Sequence, residues 1–110
     1  MTASLHPQIE AGRQARRAAL WQATRDRLRQ VLNEVLPGVK VWLFGSITRP
    51  ERFHERSDVD LALEKLPDER SHIDLLIEID TRLERSVDLV LLNESRLRDK
   101  ILSTGELWTN

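Results

Sequence analysis

The chain has 110 residues, 17 Lys and Arg against 18 Asp and Glu, and a formal net charge of −1. That length supports one domain with a real core, and the near-zero charge argues neither for nor against a nucleic-acid partner. The absence of cysteine excludes disulfides and thiolate metal sites, and no stretch approaches the roughly 18 apolar residues that span a bilayer. With no apolar run of signal-peptide length at the N-terminus, the expected location is the cytoplasm.

Residues 1–7 are expected to fray, with Pro7 as a helix starter. Pro7–Leu36 is rich in Ala, Arg, Gln and Leu, and Trp21, Thr24, Leu28, Val31 and Val35 form one stripe at helical spacing. Pro37-Gly38 ends that helix. Residues 1–30 hold six Arg against Glu10 and Asp26, a net of +4 that leaves −5 for the rest. The Arg13/Arg16/Arg17 group reads first as a solvated face and second as a partner-docking surface.

Val39–Phe44 forms the first strand, with Val41 and Leu43 on one face and Trp42 and Phe44 on the other. Gly45-Ser46 breaks it, and Pro50 limits any helix begun there to about one turn, because it disfavours helical geometry at Arg49. Residues 49–57, RPERFHERS, are too charged and aperiodic for a core element. Ser57–Leu63 is the second strand, in which Asp58 and Asp60 share one face while Val59, Leu61 and Leu63 hold the other. Burial alone does not select carboxylates there.

Ser71-His72-Ile73-Asp74 fits a capping box. The stretch after it alternates like a strand at Ile73, Leu75, Ile77 and Ile79. The cap, the run to Arg85 and the Glu78/Arg82 spacing select helix. Val87–Leu92 is the third strand, presenting Asp88 opposite Val87, Leu89 and Leu91. Asn93 or Ser95 caps a last helix through Leu97, Ile101 and Leu102, which Gly105 ends, and Leu107 and Trp108 fold back on the core. The expected fold is α/β (α+β), a three-stranded mixed sheet flanked by helices. Its second and third strands run parallel and lay Asp88 beside Asp58 and Asp60.

Three carboxylates without His or Cys point to a hard cation, Mg²⁺ or Mn²⁺. Mg²⁺ takes one or two carboxylates plus phosphate oxygens, which suggests a nucleoside triphosphate in the shell. Gly45 lets backbone approach a phosphate, Ser46 adds a donor, and Arg49 one turn on reaches a phosphate oxygen. Singly, each motif has a plainer reading: a turn, a solvated Asp-x-Asp, a surface arginine. Their order on these elements is far more specific. His6, His54 and His72 do not cluster by spacing, and Trp21, Trp42 and Trp108 read as core or interface anchors.

The succession G-S-x-x-R, D-x-D and a further strand Asp, at residues 45–49, 58–60 and 88, resembles the DNA-polymerase-β-type nucleotidyltransferase superfamily. VWLFGSITR, SDVDLAL and VDLVLL are most similar to its minimal members, the MNT domains, which are antitoxin halves of HEPN/MNT toxin–antitoxin pairs. The resemblance implies one minimal nucleotidyltransferase domain over 1–110. Its parts would be an N-terminal helix over 1–36, a catalytic core over 39–92, and a C-terminal helix and tail over 94–110.

It also implies that Asp58 and Asp60 bind two metal ions, that Asp88 ligates the catalytic metal and helps deprotonate the attacking hydroxyl, and that Gly45, Ser46 and Arg49 hold the triphosphate. The implied activity is AMP transfer from ATP to a tyrosine of a HEPN-type RNase toxin, with no direct nucleic-acid binding and no membrane. With no Tyr in the chain, it is not its own tyrosine acceptor. Occlusion of the partner without catalysis, or transfer to a small molecule or RNA, are the alternatives. Many relatives carry Gly after the Arg, where this chain has Pro50.

Overall fold

The computed structural model describes residues 7–110; the expected fraying of the preceding residues, and His6, lie outside that range. Helix α1 runs Pro7–Val35, followed by β1 (Lys40–Phe44), a 3-10 turn (Gly45–Thr48), β2 (Val59–Leu63), α2 (His72–Leu83) and β3 (Val87–Leu91). A second 3-10 turn (Leu92–Glu94), α3 (Arg98–Thr104) and β4 (Glu106–Thr109) complete the chain. The sheet order is β3-β2-β1-β4, with β2 and β3 parallel and the other pairs antiparallel.

One face of the sheet buries Val41, Leu43, Leu61, Leu63 and Leu89 against Leu28, Val31, Leu32 and Val35 of α1 and Leu75, Ile79 and Leu83 of α2. Their apolar stripes match the 3.6-residue period, so each helix covers the sheet with one side. Ser71 caps α2 as the sequence predicts, its hydroxyl accepting from Asp74 N at 3.1 Å. The opposite face carries a smaller cluster of Trp42, Ala62, Leu92 and Ile101, with Phe44 and Val90 against it. Helix α3 covers only that apolar part. The acidic end of the face stays open.

Three expectations need correction. The sheet has four strands, because Glu106–Thr109 pairs with the free edge of β1 instead of merely folding back, aligning Trp108 with Val41. That edge has unpaired backbone groups to satisfy, a demand invisible in a four-residue segment. Strand β2 starts at Val59, so Asp58 immediately precedes the ladder. Helix α3 is capped by neither Asn93 nor Ser95: Asn93 sits in the second 3-10 turn, and the Ser95 hydroxyl accepts from Leu97 N before the helix begins.

Candidate active site

The site forms where β1 stops. Gly45 has φ +72, the left-handed region that turns the chain sharply off the strand, and a Cβ built there would overlap the Asp60 carboxylate. Glycine is required twice over, by conformation and by space. Arg49 then returns to extended geometry, with φ −137 and ψ 119, as expected before Pro50. The single turn between is tightened by Thr48 Oγ1 donating to Gly45 O at 2.7 Å.

The register sets the acids. Phe44 lies opposite Asp60, and Asp60 opposite Asp88, which places all three on the open face. Asp60 is half-buried and its pKa rises from 3.8 to about 6, first through burial, then through the negative charges of Asp88 and Asp58. Asp58, although outside the strand, is therefore close enough to act on Asp60. Among the described residues no three His, Cys, Asp or Glu side chains close into a ready-made metal cage.

A cleft of about 710 Å³ opens beside Asp60. It is lined by Gly45, Ser46, Arg49 and Asp60, by Arg52 and Phe44, and by Leu97, Lys100, Ile101 and Thr104 at α3. Asp58 and Asp88 flank Asp60 and are not among these walls. The α3 wall was not foreseen, because nothing in Leu97–Thr104 repeats a motif.

Also unforeseen is what holds the turn from behind. Trp21 Nε1 donates to Ile47 O at 2.8 Å and Arg25 Nη1 donates to the same oxygen at 3.1 Å. The Arg25 guanidinium stacks over the rings of Trp21 and Trp108 and pairs with Glu106. Trp108 Nε1 also donates to Glu106, at 2.5 Å. Burial raises the Glu106 pKa, but the hydrogen bonds from Arg25 and Trp108 and the charges of Arg25 and Arg29 outweigh it and hold it below 4.5. Helix α1, the turn and β4 are thus tied together through Arg25. Trp21 and Arg25, four residues apart on a helix, were the available signal.

The charged loop 49–57 is also anchored. Arg52 N and Phe53 N both donate to Arg49 O, at 3.1 and 3.2 Å, so Pro50 sits inside a tight turn that brings Arg52 to the cleft. Phe53, expected outside the core, is 0% exposed, with Arg85 stacked on its ring. Arg85 Nη1 donates to Ser57 O at 2.7 Å and Glu55 O at 3.1 Å, closing the loop. His54 is exposed, and its Nδ1 accepts from Arg56 N at 3.2 Å.

A turn with free donors beside a strand-borne carboxylate pair is the arrangement expected for phosphoryl or nucleotidyl transfer. Residues 27–109 match the family described as Polymerase beta, Nucleotidyltransferase, and the chain belongs to that family. Two solved structures share the fold. A toxin–antitoxin with AMP-PNP has a TM-score of 0.58 and 24% identity over 77% of this chain and 73% of that one. The toxin–antitoxin MntA-HepT has a TM-score of 0.55 and 22% identity over 81% of this chain and 73% of that one. No curated protein matches the sequence.

Proposed function

We propose that this chain is an MNT-type antitoxin, a protein adenylyltransferase that moves AMP from ATP to a tyrosine hydroxyl of a HEPN-type toxin. The observation that carries the reading is the contact between Gly45 and Asp60. The anion-seeking turn and the carboxylate meet with no room between them for a side chain.

Asp58, Asp60 and Asp88 fit a Mg²⁺ or Mn²⁺ requirement: they are oxygen donors only, and the charges of Asp88 and Asp58 bear on Asp60. The three acids form no closed cage among the described residues, and phosphate oxygens of a nucleotide would be the natural further donors. When bound, the metal supplies charge neutralisation at the α-phosphate and on the departing pyrophosphate. Asp58 and Asp60 would hold the metal, and Asp88 would be a further ligand and take the proton from the attacking hydroxyl. Backbone N–H groups after Gly45, the Ser46 hydroxyl and Arg49 hold the β- and γ-phosphates. The new bond joins the acceptor oxygen to the α-phosphorus, and the bond to the bridging oxygen breaks.

The toxin partner is supported by the two similar structures, both of toxin–antitoxins, one of them with AMP-PNP. One minimal nucleotidyltransferase domain in the cytoplasm suits an ATP-dependent step. No helix of the described residues is long and apolar enough to cross a membrane. A second reading, occlusion without catalysis, is favoured by Ile73 and Ile77, 59% and 55% exposed one turn apart on α2. The test uses the protein encoded beside this chain, labelled ATP and Mg²⁺. Label should enter that protein, and Asp60→Ala should abolish it while retaining a cooperative melt. Full neutralisation by Asp60→Ala would move the assignment to occlusion.

A further inference from the structure

Three cations line the cleft: Arg49 at the end of the 3-10 turn, Arg52 from the Pro50 turn, and Lys100 from α3. None of the three pairs with a carboxylate among the described residues, although acids outnumber bases in the chain. Unpaired cations facing one concave space favour an anion of several charges. Backbone geometry directs them there. Pro50 sets the turn that carries Arg52, and Gly105, where a Cβ would overlap Ile101 O and crowd Leu43 O, seats the end of α3 against β1.

We infer that Arg52 and Lys100 form the two sides of a polyphosphate clamp that grips the terminal phosphates of a nucleoside triphosphate and so selects triphosphates over monophosphates. This rests on the nucleotide reading above, and extends it to two residues outside the motifs. Lys100 lines the cleft together with Leu97, Ile101 and Thr104, so α3 and the residue that precedes it contribute to the same concave surface as Ser46. Both cations are exposed, and their replacement leaves the core untouched.

Calorimetric titration of the full chain with a non-hydrolysable ATP analogue, AMP and inorganic tripolyphosphate tests this. The variants are Arg52→Gln and Lys100→Met, each with an unchanged melting temperature. Each variant should bind the analogue and tripolyphosphate at least tenfold more weakly, and AMP as the unaltered chain does. Equal losses for AMP and the analogue, or no loss, would overturn the clamp while leaving the nucleotide site intact. If the unaltered chain binds tripolyphosphate but no nucleotide, and the variants lose it, Arg52 and Lys100 hold an inorganic polyphosphate, and the nucleotide clamp is overturned together with the nucleotidyltransferase reading. Binding of none of the three ligands overturns both.

Discussion

Gly45 and Asp60 occupy adjoining space so tightly that no side chain fits between them. The turn that leaves β1 and the carboxylate that β2 presents across the ladder are therefore one unit. Gly45→Ala should cost about 1–3 kcal/mol from the positive φ alone, and more from the displaced carboxylate. Gly38 provides the control. It has φ +75, nothing within 4 Å of a built Cβ, and lies outside the cleft. In urea titrations both alanine variants should lose stability. Only Gly45→Ala should also lose binding of the ATP analogue.

Asp60 gives the metal-free protein a pH dependence of unusual sign for a carboxylate. Its folded pKa of about 6 lies above 3.8, so the native state binds the extra proton between those values. Stability from this group is greatest at low pH and falls as pH rises through 6. Asp60→Asn should then melt about 4 °C or more above the unaltered chain at pH 8 in chelator, and with it at pH 4. A constant offset across that range would contradict the charge origin.

The Ile47 carbonyl is held by Trp21 and Arg25, and Arg25 also compensates Glu106. Arg25→Met should destabilise the protein by about 1–3 kcal/mol at pH 7, because the carbonyl loses a donor and Glu106 loses its counter-charge. Glu106 has a lowered folded pKa, so its contribution is present above 4.5 and disappears as pH falls below it. Denaturation midpoints at pH 7 and pH 3 should show the penalty shrinking on acidification. Trp21→Phe should cost about 1 kcal/mol with no such pH dependence.

Phe53 fastens the loop between the turn and β2 to the core. Phe53→Ala should cost about 3–5 kcal/mol through the cavity it leaves. Amide exchange at residues 49–57 should accelerate more than exchange in α2. Arg85→Met, which removes the donor to Ser57 O and Glu55 O, should speed exchange in the same loop with a smaller loss of stability.

Much of this architecture is legible in the residue order. The stripes of α1 and α2, the two-sided strand β1 and the Ser71 cap are local periodicity and local hydrogen bonding, which short sequence windows contain. The G-S-x-x-R and D-x-D succession is legible for a related reason. Close approach of backbone and carboxylate tolerates so few residue types that the motif survives as a string. The burial of Phe53 is not legible because a single aromatic among charges has no period, and the role of Arg85 is not because its partners are carbonyls, which carry no side-chain signature.

What the sequence by itself determined is therefore the set of groups at the end of β1: a glycine turn, a serine, an arginine and three acids, two of them on strands and Asp58 just before one. Only the tertiary structure decided what surrounds that chemistry. Strand β4 exists because β1 had an edge to pair. Helix α3 becomes a cleft wall because Gly105 lets it approach β1, and Trp21 and Arg25 reach Ile47 across 26 and 22 residues of chain. These contacts depend on which surfaces meet after folding, and residues distant in sequence leave no spacing from which to read them.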